Sequence, residues 1–328
     1  MFDLIEGFPR QLEHAVEIAH TVKLNTTSNP IKNILVSGLG GSGIGACAVA
    51  ELVTTELNIP LIANNSYILP KFVNNETLII LSSYSGNTEE TVAVAKAVKE
   101  KGLTAICITS GGKLQQLAEE FSWDCILIPS GMPPRTCFGY SVILQLCVLN
   151  QFGLISNEFK KEAQSTALLL KKEQENMQQS AIQFASALNG KIFALFADQC
   201  FQSLVVRAKQ QFNENSKSLC WANVFPEFNH NELVAWRGNR SNVPVLLFRS
   251  NYEYQRNQLR MAFSKEVIEN TGADILEIEA KGNTIFEQYF YHIHLVDWMS
   301  FYLAELQHFN PMEIDVLNKL KAHLASIQ

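Results

Sequence analysis

A chain of 328 residues, 47% hydrophobic and 18% charged, is long enough for two ordinary domains and too apolar to remain disordered. Its formal net charge of −6, with lysines and arginines scattered, leaves no basic stripe for nucleic acid. The opening MFDLIEGFPRQLEHAVEIAH carries acids where a leader peptide is basic, and no apolar run approaches the roughly 18 residues of a membrane span, so a cytoplasmic location is expected.

From Asn33 onward, short β-rich runs alternate with amphipathic helical stretches. NILVSGL, LIANNS, TLIILSS, TAICITS and CILIPSG have strand length and composition, and patterns such as EETVAVAKAVKEKG between them predict a parallel sheet covered by helices on both faces. YSVILQLCVLNQFGLI reads as a buried helix closing this unit, and a polar helical connector follows over 157–179. A boundary near 153 therefore divides the chain into domains 1–153 and 154–328. The second half repeats the rhythm with KIFALFA, the helix FQSLVVRAKQQFNE, VPVLLFRS, a helix over 254–270, and DILEIEA. The aromatic FEQYFYHIHLVDWMSFYLAEL, with Trp298, predicts a helix buried as core or in a subunit interface.

Seven cysteines (Cys47, Cys107, Cys125, Cys137, Cys147, Cys200 and Cys220), odd in number and mostly set in apolar runs, read as reduced and buried. None is spaced C-x-x-C. On a helix His292 and His294 point to different faces, so no metal site is expected.

Gly38, Gly40 and Gly43 in GLGGSGIGA spell G-x-G-x-x-G, the spacing of a dinucleotide turn. That fingerprint also needs an acid about 20 residues on, at the end of the second strand, to hold a ribose hydroxyl. Here PLIANNSYI offers Asn64 and Asn65 instead. A second loop points elsewhere. In SSYSGNTEET, the hydroxyls of Ser83, Ser85 and Thr88 surround Gly86 just before a helix, where free N–H groups and the helix dipole favour a dianion. A simple N-cap explains one hydroxyl but not three with a glycine. No Walker lysine follows either turn, so the phosphate belongs to a small metabolite.

SSYSGNTEET resembles the signature of sugar-isomerase (SIS) domains, and GLGGSGIGA is similar to the turn after the first strand of that fold, with Ser42 in the place of its first-loop serine. QFNENSKS and PEFNHNELVAW resemble two further motifs of the bifunctional phosphoglucose/phosphomannose isomerases. The resemblance implies two tandem SIS domains, each a parallel sheet flanked by helices in an αβα sandwich. It implies an aldose–ketose isomerase of hexose 6-phosphates, working as a homodimer with active sites at the interface and without metal or diffusible cofactor. Glu214 matches the family's catalytic base, and His230 its ring-opening histidine, often supplied by the neighbouring subunit. Arg135, after the last strand of the first domain, matches the arginine whose charge stabilises an enediolate. The family's C-terminal lysine falls on Lys321 by the pattern Leu320, Lys321, Leu324, in preference to Lys319. Gly40 and Gly41 are expected to let the backbone approach substrate. One departure concerns the mannose epimer: the family often carries a threonine before the last helix, whereas this chain has Met312 and Glu313 there. Two other readings fit the phosphate-binding cup expected of Ser83, Ser85 and Thr88: a non-catalytic phosphosugar sensor, and a glucosamine 6-phosphate isomerase or deaminase.

Overall fold

Apolar runs become strands here because both faces of each sheet are covered, which lets Leu, Ile and Val follow one another without alternation. The computed structural model describes residues 1–26 and 29–327. In chain order come helices α1 (Phe2–Glu6) and α2 (Phe8–Thr21), strand β1 (Asn33–Ser37), α3 (Gly40–Leu52), β2 (Leu61–Asn64), β3 (Thr77–Ser82), α4 (Glu89–Glu100), β4 (Ile106–Thr109), α5 (Gly112–Phe121), β5 (Cys125–Leu127) and α6 (Phe138–Gln151). Then follow α7 (Glu158–Leu188), β6 (Phe193–Asp198), α8 (Gln202–Ser216), β7 (Cys220–Phe225), β8 (Val245–Arg249), α9 (Gln255–Glu269), β9 (Ile275–Glu279), α10 (Ile285–Leu306) and α11 (Asp315–Ser326).

The chain forms two compact units, one of Glu6–Lys172 with Lys281–Tyr291, the other of Met1–Ile5, Glu173–Ala280 and His292–Gln328. A cut at 153 separates the two sheets. The change of unit, however, falls inside the long helix α7, and the start of α10 returns to the earlier unit, which no single cut describes.

The earlier unit holds a five-stranded parallel sheet in the order β2-β1-β3-β4-β5, with Val36 beside Ile80 and Ile80 beside Ile106. Helices rise after β1 and β3, so the order reverses between these two strands, and a crevice opens there beyond their carboxyl ends. One face packs Leu35, Ile79, Leu81 and Cys107 against Val94, Val98 and Leu114. The opening residues, read above only for a leader, form the amphipathic α2. It buries Phe8, Leu12, Ala15, Val16 and Ala19 and packs on α6, itself almost wholly buried as expected.

The later unit holds a four-stranded parallel sheet in the order β7-β6-β8-β9. All six residues of β6 are buried. β7 has no counterpart in the sequence reading: CWANVF is an edge strand, half-buried over its first four residues and interrupted by Asn223, so it lacks an apolar run. Phe196, Phe225, Phe228 and Trp236 pack on one another beside it. All seven cysteines are free thiols, three buried and four half-buried.

Candidate active site

The crevice of the earlier unit is made by two helix N-termini whose flanking residues leave the turn uncapped. Leu39 precedes α3 and Thr88 precedes α4, and neither side chain caps its helix. Thr88 Oγ1 lies 2.8 Å from Ser83 Oγ instead, closing the loop on itself, and Ser85 Oγ accepts from the Asn87 N–H at 3.3 Å. Ser83 is buried, Thr88 half-buried and Ser85 exposed, so the hydroxyls form a graded wall from core to solvent. Ser42 lies in the first turn of α3, across the crevice. Two glycines explain the close fit. Gly38 passes the Ser82 carbonyl, which a Cβ would meet at 2.6 Å. Gly86, at φ +66°, leaves no room beside the Gly111 carbonyl for any side chain.

Gly40 and Gly41 differ from each other. Gly40 has φ +54° and faces open space, whereas Gly41 is pressed against the Pro134 carbonyl, 3.2 Å from where its Cβ would stand. That contact brings in Arg135, which is buried in the 3₁₀ turn Pro134–Thr136. Tyr84 carries the same link from the other side. Its hydroxyl donates to the Pro129 carbonyl at 3.0 Å and accepts from the Met132 N–H at 2.9 Å, while its own carbonyl accepts from Ser110 Oγ at 2.6 Å. Burial pushes the Tyr84 hydroxyl up to about 12, so it stays a donor. From α2, Gln11 donates to the Thr136 carbonyl and accepts from the Gly139 N–H, both at 2.8 Å. Hydroxyl loop and arginine loop are thus held as one rigid piece.

In the later unit, Glu214 is half-buried in the last turn of α8. The helix is fixed by a buried network on its inner side. Arg207 makes a bidentate pair with Asp297 at 2.8 and 3.0 Å, Gln211 donates to Asp297 at 2.6 Å, and Asn215 donates to Ser300 at 2.9 Å. These anchors, four residues apart, share one face of α8 and fix the helix that carries Glu214 against α10. His230 is exposed at the end of the 3₁₀ turn Glu227–His230. Phe228, wholly buried, holds that turn from below, and Glu232 holds it from the far side by accepting from Trp221 Nε1 at 2.7 Å and Asn223 Nδ2 at 2.8 Å.

Lys319 and Lys321 both lie exposed on α11, no residue of which is buried. Helical geometry separates them. Taking about 100° per residue, Lys321 shares a face with Leu317, Leu320 and Leu324, while Lys319 stands opposite. A partner covering the apolar face would therefore meet Lys321.

Sequence reasoning did not single out Tyr84, Gln11 or Glu232. Tyr84 and Glu232 lie inside the quoted motifs, but the hydrogen bonds by which they brace their loops go to partners outside those motifs, which only the fold reveals.

Residues 29–155 match the SIS domain, and residues 177–324 match the bacterial phospho-glucose isomerase C-terminal SIS domain. The chain is 33% identical to the bifunctional phosphoglucose/phosphomannose isomerase of Caldicellulosiruptor bescii over 100% of both chains. It is 31% identical to the protein of the same name from Aquifex aeolicus over 99% of this chain and 98% of that one. It is also 30% identical to the D-glucosamine-6-phosphate 4-epimerase of Sulfolobus acidocaldarius, over 66% of this chain and 68% of that one. Among solved structures, the C-terminal domain of glucosamine-fructose-6-phosphate aminotransferase from Francisella tularensis superposes with a TM-score of 0.75 at 13% identity, covering 95% of this chain and 98% of that one, a likeness of fold.

Proposed function

We propose, from the premise that this chain belongs to the bifunctional phosphoglucose/phosphomannose isomerase family and carries two SIS domains, that it interconverts glucose 6-phosphate and fructose 6-phosphate. The observation that carries this reading is the crevice between β1 and β3. Two uncapped helix N-termini begin there, α3 carrying Ser42 in its first turn and α4 preceded by the loop of Ser83, Ser85 and Thr88, with Gly41 pressed against the Pro134–Arg135 backbone; this supports a cup made of those four hydroxyls with Arg135 beside it. Such a cup suits a phosphate dianion, and its hydroxyls need no metal to hold it.

The reaction moves one proton between neighbouring carbons. His230 and Lys321 help to open the pyranose ring, giving and taking protons at the ring oxygen and the anomeric hydroxyl. The Glu214 carboxylate removes the C2 proton of the open aldose, and the electron pair forms the C1=C2 bond of a cis-enediolate. The guanidinium of Arg135 offsets the negative charge on oxygen. Glu214 returns the proton to C1 while the C2 hydroxyl proton passes to the C1 oxygen, leaving a ketone at C2 and a hydroxyl at C1, so no atom is gained or lost and no diffusible cofactor is consumed.

Helix α11 supports a homodimer: Val316, Leu317, Leu320 and Leu324 are all exposed on it, an apolar face that a second copy would cover. The relatives' shared name supports mannose 6-phosphate as a second substrate, although Met312 and Glu313 stand where the family pattern often has threonine. Among the described residues no helix is long and apolar enough to cross a membrane.

A coupled assay against fructose, glucose, mannose and glucosamine 6-phosphates, with a chelator present, tests this reading. Turnover of fructose and glucose 6-phosphates is expected. Turnover of none would make the chain a phosphosugar sensor, and turnover of glucosamine 6-phosphate alone would move it to an amino-sugar enzyme.

A further inference from the structure

Lys217 follows α8 in the left-handed conformation, φ 55°, an uncommon place for a long side chain. From there its Nζ donates to the Glu214 carbonyl at 2.7 Å and, more distantly, to that of Asn215 at 3.5 Å. The same ammonium reaches carbonyls more than ninety residues further along, Asn310 at 3.1 Å and Glu313 at 2.8 Å. Three short bonds match the three protons of an ammonium. The first serves the end of α8, whose last carbonyls lack helical partners and carry the negative end of the dipole. The other two grip the segment that leads straight into α11.

α11 buries none of its own residues, so on its own chain its placement depends on where that segment is held. Pro311 is buried, and Asn310 shapes the turn by accepting from the Met312 and Glu313 N–H groups, but Lys217 ties this turn directly to the backbone of Glu214. We propose that Lys217 is a positioning residue, whose ammonium fixes the root of the C-terminal helix to the helix end that carries the base. Lys321 is thereby presented in a set register relative to Glu214. This rests on the roles proposed above for Glu214 and Lys321, and a misplacement of about 1 Å in such a constellation costs on the order of 10²-fold in rate.

The test compares Lys217→Met and Lys217→Arg in the full chain by hydrogen exchange and by kinetics on fructose 6-phosphate. In Lys217→Met, amides over 313–326 should exchange at least about tenfold faster while β6 keeps its protection, kcat should fall about 10²-fold, and KM should stay within about twofold. Lys217→Arg, which keeps the charge, should recover part of the rate and of the protection. In a Lys321→Met background, Lys217→Met should cost less than about threefold more, because one lesion already contains the other. Unchanged exchange over 313–326, or an undiminished loss in the Lys321→Met background, would overturn the proposal. Inactivity of the unmodified chain on every hexose 6-phosphate would instead overturn the isomerase reading, and exchange would still decide whether the clamp exists.

Discussion

The two sheets invite comparison at one place, the loop that follows the strand beside the first strand of each. In the earlier unit this is Ser83–Thr88 after β3, built of hydroxyls and a glycine; in the later unit it is Ser250 to Tyr254 after β8, and it contains Glu253. That carboxylate is buried. Its Oε1 accepts from the Ser250 N–H at 2.9 Å and from Arg249 Nε at 2.8 Å, and its Oε2 accepts from Arg249 Nη2 at 3.0 Å. Arg249 also holds Glu277 at 2.9 Å. Nearby, Asp198 at the end of β6 accepts from the Cys200 N–H and from Asn257. A phosphate entering here meets carboxylates that already occupy the N–H groups. The same strand order thus leaves one edge free for an anion and fills the other with its own, so loop chemistry rather than fold decides the ligand.

The sharpest way to break this division of labour is to remove the proposed base while leaving the proposed phosphate cup intact. Glu214→Gln should lower isomerisation, and exchange of the C2 proton with solvent, by about 10² to 10⁴ without altering KM. Undiminished exchange would take Glu214 out of the chemistry. Next in size is Glu253→Ala, which strips Arg249 of its buried partner and should cost about 2 kcal/mol of stability. Urea unfolding measures it, and titration of the unmodified chain should find one sugar phosphate bound per chain. Two per chain would erase the contrast between the loops.

A pH effect separates the units further, because His292 and His294 belong to the later one. Burial pushes His292 down to about 4 and His294 down to about 3, Arg207 adding to the second shift. Each is neutral when folded: His292 Nε2 donates to the Arg249 carbonyl at 2.8 Å, and His294 Nε2 accepts from Trp298 at 3.2 Å. The unfolded chain takes up these protons near 6.5, so the stabilisation is complete above that pH and is lost as pH falls toward 4. The slope reaches about 1.4 kcal/mol per pH unit for each group. Melting temperatures between pH 8 and 4.5 measure it; a flat profile would mean that neither histidine is held neutral. The smallest effect belongs to the cup: Ser85→Ala, at an exposed position, should raise KM several-fold with kcat unchanged, a loss of about 1 kcal/mol. If KM did not move, the cup would lose its outer wall.

Legibility in the sequence followed locality. Strands buried on both faces announce themselves as apolar runs, and helices after them by period, so both sheets could be drawn except for β7, where Asn223 and partial exposure dilute the pattern. Three of the cup's hydroxyls, Ser83, Ser85 and Thr88, are equally local, lying within six residues. What no spacing reveals is how Tyr84 reaches Met132, Gln11 reaches Thr136 or Lys217 reaches Glu313, since these partners meet only when the chain has folded. Residues that could act on substrate were thus legible by type and motif, and those that hold them still were not.

A helix with no buried residue has consequences outside the folded chain. If α11 completes the site only against a second copy, catalytic competence becomes a property of concentration: newly made chains are silent until they meet, and dilution would switch the enzyme off without unfolding it.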